Sequence, residues 1–282
     1  MEHVAAWIEK SEYTRALGVA IAALAPGEAR LVLPYDDGNS NPGQVLHGGV
    51  AASLVGIAGQ AVARATLGAA AAPFHTTALQ ITYLAAAKAQ AITATARRLR
   101  EGKELCFVDV AIASDDGKPI AHGLVAARGR FGAADAVLPI ARGDDGASDP
   151  GRMGPHVARI PFMAKLGVRI EHMVGARSRL VLPLAVTNGD AAGGVHEGAV
   201  LALLDTTGAM AAWAVTGPGP YKASTPALQA QILAPPPAED LVAYGRSVHD
   251  DDEAHWCDVE IAGAASRRVC ARGTVQYRIV RA

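Results

Sequence analysis

Apolar and polar positions along the 282-residue chain fall into a short series of blocks. Residues 4–16 carry spaced apolar side chains and predict a short opening helix, and residues 28–34 read as a strand. A loop from Asp36 to Gly43, rich in Asp, Gly, Asn and Pro, follows. His47-Gly48-Gly49 then opens a proline-free run over 50–67, rich in Ala and Leu, whose length and small side chains favour a buried helix. Strand-like segments follow at 76–84, 90–100, 104–114 and 119–131, the last two joined by the hairpin signal Asp115-Asp116-Gly117-Lys118. One long helix followed by a run of antiparallel strands predicts an α+β fold, with the sheet wrapped around the helix. Arg64 is the only charge between residues 48 and 72, as expected of a helix enclosed on most sides.

The blocks occur twice. Leu17-Gly18-Val19 returns as Leu166-Gly167-Val168, Leu31-Val32-Leu33-Pro34 as Leu180-Val181-Leu182-Pro183, His47 as His196, and Leu79-Gln80 as Leu228-Gln229, each displaced by 149 positions. A single offset over four landmarks means two copies of one domain. The expected boundaries are residues 1–132 and 159–282, joined by a linker over 133–158 rich in Gly, Asp, Pro and Ser.

Composition narrows the function. Half of the residues are hydrophobic, and 26 Lys and Arg stand against 27 Asp and Glu, a net charge of −1. That balance gives no broad electrostatic footprint for nucleic acid. Cys106, Cys257 and Cys270 form neither a disulfide framework nor a metal-ligand spacing, so no metal is expected. The N-terminal residues carry acids and no apolar h-region, so a secretory signal is not expected. The long apolar runs are interrupted by Ser53 and Gln60 or by Asp205, which argues against membrane spans. A cytoplasmic location is expected. Gly-x-Ser-x-Gly and Gly-rich phosphate loops are absent.

The segments NPGQVLHGGVAASLVG and GGVHEGAVLALLDTTGAMAA resemble the His-Gly-Gly segment and central helix of hotdog-fold thioesterases, nearest to the PaaI-type group. The resemblance spans both halves. It implies an acyl-CoA thioester as substrate, coenzyme A arriving as part of that substrate with no separate cofactor, and two hotdog units whose central helices lie side by side in opposite directions.

Two features carry the chemistry. Gly48 stands at a helix N-terminus, where unpaired backbone N–H groups and a partial positive charge can hold a carbonyl oxygen as it gains negative charge. Asp205 is a lone carboxylate in an otherwise uncharged run from Ala199 to Trp213, which is costly unless it is paired or lies in a site; it reads as a nucleophile or as a base for water. Asp205 follows His196 by nine residues, roughly 13 Å along one helix, so it must serve an oxyanion site on another helix.

The copies have diverged in complementary ways. The first keeps Asn41, His47 and Gly48 but has Gly56 where the second has Asp205; the second has Glu197 for Gly48 and Asp190 for Asn41. Crossed pairing therefore builds one intact site and one dead one. The resemblance further implies that Asn41 helps hold the thioester carbonyl, that His47 supports the turn, and that Thr225, with Thr76 as its counterpart, orients the acid or the water. Arg97, Arg98 and Arg100, with Lys103, form a basic turn that would meet the nucleotide phosphates of coenzyme A, although a solvated hairpin end explains it more economically. Met210, Trp213 and Phe74 line the acyl pocket or belong to the core. A homodimer would cover exposed sheet edges. The competing readings are a non-catalytic acyl- or aryl-CoA-binding protein and, ranked last, an enoyl thioester hydratase, for which no acid accompanies His47.

Overall fold

The computed structural model describes residues 1–130 and 137–281. Residue 131 of the strand expected over 119–131, the junction at 132 and the first expected linker positions, 133–136, lie outside the described residues.

The first half contains α1 (Glu2–Lys10), α2 (Glu12–Leu17), β1 (Ala20–Ala25), β2 (Glu28–Leu33), the two-residue strands β3 (Ser40–Asn41) and β4 (Val45–Leu46), α3 (Gly48–Leu67), β5 (Phe74–Tyr83), β6 (Ile92–Glu101), β7 (Leu105–Ser114) and β8 (Pro119–Gly129). The second contains α4 (Gly154–Val157), α5 (Pro161–Leu166), β9 (Arg169–Val174), β10 (Arg177–Leu182), α6 (Glu197–Thr216), β11 (Tyr221–Ile232), β12 (Leu241–Asp250), β13 (Ala254–Gly263) and β14 (Val269–Arg281). The expected opening helix is two helices. Ser11 takes an extended backbone (ψ 119°), and its hydroxyl donates to the carbonyl of Trp7 at 2.7 Å, which ends α1. Strand β1 was not apparent in the sequence because AIAALA has no polar alternation; it is an edge strand and largely exposed.

Among the described residues, twelve strands form one antiparallel sheet in the order β1-β2-β6-β7-β8-β5-β11-β14-β13-β12-β10-β9. The halves join at β5 and β11, where Gln80 pairs with Gln229, the same position of each repeat. Helices α3 and α6 lie in the core, buried over most of their length. Both are long and apolar enough to cross a membrane by length and composition, but their apolar surface is enclosed by the protein itself. They run antiparallel and close together. A Cβ on Gly49 would stand 2.8 Å from the Cα of Ala202, and one on Gly198 would stand 3.2 Å from the Cβ of Ser53. Ser53 Oγ lies 2.7 Å from the carbonyls of both Gly49 and Gly198, which ties the helices at their crossing.

Residues 137–149 have little regular structure and lie against the second half. Ile140 bridges to Arg268, and Asp144 accepts from the buried Arg179 guanidinium at 2.5 and 2.7 Å. The fold is a tandem hotdog: two helix-wrapping halves of one continuous antiparallel sheet in one chain.

Candidate active site

His47 caps α3. Its Nδ1 accepts the Gly49 N–H at 3.0 Å, and His196 does the same for Gly198 at 2.9 Å. Burial pushes the His47 imidazole down to about 4, so it is neutral near neutral pH and its proton sits on Nε2. His47 is also wedged against the ring of Phe162 from α5 of the second half, 4.9 Å between centroids.

Asp205 of α6 is buried and faces this cap. Its Oδ2 lies 2.8 Å from where a Cβ on Gly48 would stand and 3.8 Å from His47 Nδ1. The second distance is no ion pair, because His47 is neutral and its Nδ1 lone pair is already used by Gly49. Thr225 Oγ1 donates to Asp205 Oδ1 at 2.9 Å. Thr225 can do so because it lies in a bulge of β11, between Ser224 and Ala227, opposite Tyr277 of β14. Burial raises the Asp205 carboxyl to about 6, opposed by the Thr225 hydroxyl and the Gly49 amide.

The structure thus brings together Gly48, His47, Asp205 and Thr225 from two repeats. Asn41 is half-buried in the β3–β4 hairpin, opposite Val45, and the structure gives it no contact with Asp205 among the described residues. Arg97, Arg98 and Arg100 lie exposed at the far end of β6, away from the cluster. Arg97 lies 3.8 Å from Glu28 and Arg98 pairs with Glu101, while Arg100 has no carboxylate partner among the described residues.

Two groups escaped the sequence reading. Tyr83 of β5 donates its hydroxyl to the Gly48 carbonyl at 3.1 Å, and burial together with the Asp205 charge keeps the phenol protonated. The other is the trio Gln60, Arg64 and Trp7, which joins the expected Glu197 in the opposite crossed pairing. There Glu197 takes the position of Gly48, and its carboxylate accepts from the Thr76 amide at 3.0 Å and from Gln60 Nε2. Arg64 Nε donates to Gln60 Oε1 at 3.1 Å, and its guanidinium lies 4.1 Å from the Trp7 ring centroid and 4.9 Å from that of Phe74. The signal for this network was present in the sequence as Arg64, the single charge on α3.

A groove of about 410 Å³ lies elsewhere, between residues 142–144 and the outer face of the second-half sheet. Its Tyr244, Arg246 and Arg272 alternate with Gly245 and Gly273, which face Thr207 and Leu204 of α6 on the inner side. It is therefore separated from Asp205 by the sheet.

A tandem hotdog with a helix-terminal amide facing a buried carboxylate defines the class of protein. Residues 36–128 match the family described as the acyl-CoA thioesterase N-terminal domain. The tesB protein of Mycobacterium avium subsp. paratuberculosis superposes with a TM-score of 0.66 at 13% identity, covering 99% of this chain and 98% of that one. An acyl-CoA thioesterase II, TesB2, from Mycobacterium marinum gives a TM-score of 0.64 at 13% identity, with 98% and 97% covered. A conserved hot dog fold protein of unknown function from Alicyclobacillus acidocaldarius gives 0.66 at 15% identity, with 98% of each chain covered. The fold is thus shared over the whole chain. No curated protein matches it.

Proposed function

We propose that the chain is an acyl-CoA thioesterase that hydrolyses its substrate to a free acid and coenzyme A at one composite site between the two hotdog units. The observation that carries this reading is the approach of Asp205 in the second repeat to the Gly48 helix terminus in the first. The family match over residues 36–128 supports the reaction type.

The thioester carbonyl oxygen is held by the Gly48 amide at the positive end of α3, which stabilises the oxyanion as charge develops. Asp205 is the base. A carboxylate raised to about 6 is ionised at neutral pH yet basic enough to take a proton from water. Water attacks the carbonyl carbon and gives its proton to Asp205; the tetrahedral intermediate expels the coenzyme A thiolate, which takes that proton. Thr225 fixes the carboxylate, and His47 holds the turn. Asn41 completes the carbonyl site if the β3–β4 hairpin closes on the bound substrate. Of the three arginines, Arg100 is the one without a carboxylate partner among the described residues to give up to a phosphate.

The opposite pairing is catalytically dead. Glu197 occupies it, Gly56 supplies no acid, and a Cβ on Gly56 would stand 2.8 Å from Leu201 Cδ1, so a larger side chain there would have to displace that leucine. We also assign the boundaries 1–132 and 159–282 to the two units, PaaI-type kinship to each half and a cytoplasmic location to the whole. The reading includes a homodimer, supported by the exposed Leu99 and Phe107 and, one repeat on, the exposed Val248 and Trp256 on the sheet.

Thiol release from an acyl-CoA panel tests the reaction. Turnover by the wild type and its loss in Asp205→Asn are expected. Binding of acyl-CoA without thiol release would instead make the protein a carrier.

A further inference from the structure

We infer that the acyl group lies along α6 beside Ala209 and Ala223, that Trp213 and Tyr277 wall off its far end, and that the enzyme accepts compact apolar acyl groups. The inference rests on the proposed hydrolysis at Asp205. Its basis is a comparison of the two crossed sites, which share the pairing of α3 with α6 and of β5 with β11 and differ in the side chains these elements carry.

In the dead site a continuous column of side chains starts at the helix terminus. Glu197 binds Gln60, Gln60 binds Arg64, and Arg64 lies between Trp7 and Phe74. Gly56, Gln60 and Arg64 share one face of α3 through their i, i+4 spacing. One repeat on, the same face of α6 carries Asp205, Ala209 and Trp213, while Glu197 is matched by Gly48 and Phe74 by Ala223. Phe74 is buried, whereas Ala223 is exposed. Three of the side chains that fill the dead site, Glu197, Gln60 and Phe74, are therefore reduced to hydrogen or methyl beside Asp205; Arg64 has become an indole, and Trp7 is matched by the exposed His156.

What borders this face is apolar or aromatic. Trp213 Nε1 donates to Tyr277 Oη at 3.2 Å, and the Tyr221 ring lies 6.0 Å from that of Trp213. Tyr277 is also near enough to feel the Asp205 charge. All three rings are only partly buried, so each retains surface for a ligand. Ala209, Trp213, Tyr221, Ala223 and Tyr277 offer no charged partner for a phosphate, so this side suits the acyl group rather than the nucleotide. Trp213 lies eight residues beyond Asp205, about 12 Å along the helix axis, which bounds the acyl group's length.

The test is kcat/KM across straight-chain acyl-CoA thioesters from acetyl to palmitoyl, for the wild type, Trp213→Ala and Ala209→Gln, with folding checked by circular dichroism. The wild type should prefer the shorter half of the series. Trp213→Ala should raise the ratio of long-chain to short-chain kcat/KM at least tenfold. Ala209→Gln, which restores the dead-site residue, should suppress the longer substrates most and leave product inhibition by free coenzyme A unchanged. Equal losses at every chain length, with weaker coenzyme A inhibition, would place the thiol arm on this face and overturn the inference. A wild type active on the whole series without preference would overturn it too, leaving the proposed hydrolysis intact. A wild type with no thiol release on any substrate would instead remove the function on which the inference stands.

Discussion

Asp205 and Gly48 belong to different hotdog units, yet the carboxylate Oδ2 lies 2.8 Å from the point where a Cβ on Gly48 would stand. No side chain fits between them without displacing the acid. Gly48→Ala should therefore disturb both the amide donor and Asp205 while leaving the helix itself intact. Loss of a single oxyanion donor costs about 100- to 1000-fold in kcat, and a loss of at least that size is expected here. Steady-state thiol release measures it; a Gly48→Ala enzyme within a few-fold of wild type would remove Gly48 from the site.

The acid limb of the pH profile should belong to Asp205. Burial raises this carboxyl to about 6, and the Thr225 hydroxyl opposes the rise by donating to the ionised form. A base must be ionised, so kcat/KM should fall about tenfold per pH unit below roughly 6 and level off above it. Thr225→Val removes the donor, disfavours the charged form and should move the limb to higher pH. A limb that stays in place in this variant would show that the group titrating in the rate is not Asp205.

Oxygen isotopes test the proposed role of Asp205 as a base against that of a nucleophile. Attack by activated water places solvent oxygen in the acid product alone. Attack by the carboxylate would form a mixed anhydride, and its hydrolysis would leave solvent oxygen in Asp205 when water attacks the acyl carbon of the aspartate. Single turnover with enzyme in excess, in water enriched in heavy oxygen, should yield unlabelled protein by mass spectrometry of the Asp205 peptide.

Much of this arrangement was legible in the residues. The constant offset of 149 positions gave the duplication, and the complementary loss of Asp205 at Gly56 and of Gly48 at Glu197 gave the crossed site. Helix geometry alone required Asp205 to act on another helix. The Thr225 contact needed the β11 bulge, which one extra residue in a strand does not announce. Tyr83 was illegible because its relation to Gly48 depends on where β5 passes the start of α3. Arg64 was visible as an isolated charge, but its partner lies on the other repeat, at a separation no local pattern encodes. The break at Ser11 was missed because the apolar spacing runs on across it. Arg97, Arg98 and Arg100 are consecutive or nearly so in sequence, yet two of them face carboxylates at the end of β6.

The opposite crossed pairing, proposed to be dead, should reveal itself in stability more than in rate. Burial pushes the Glu197 carboxyl from 4.5 up to about 7, despite donors from Thr76 and Gln60 and the nearby Arg64 charge. Its folded-state pKa is thus above the unfolded one, so the folded protein holds the proton more tightly. The stabilisation from that proton is complete below about pH 4.5 and is lost as the pH rises through 7. Glu197→Gln keeps a neutral group in the same place and does not titrate, so relative to wild type it should gain stability with rising pH. The gain above neutral pH is up to about 3 kcal/mol by the size of the shift. Removing one member of a buried ion pair ordinarily destabilises, because the other charge is left alone. Arg64 is not left alone here: Gln60 Oε1 and the faces of Trp7 and Phe74 still hold it, and Asp190 still acts on it. The upward shift itself means that desolvation of Glu197 outweighs these attractions, so neutralising it should win. Urea unfolding of both proteins at about pH 5 and about pH 8.5 decides the matter, with thiol release unchanged in the variant. A variant that loses stability relative to wild type as the pH rises would show that Glu197 is held as a paired anion and that the ion pair, not burial, governs this half of the molecule.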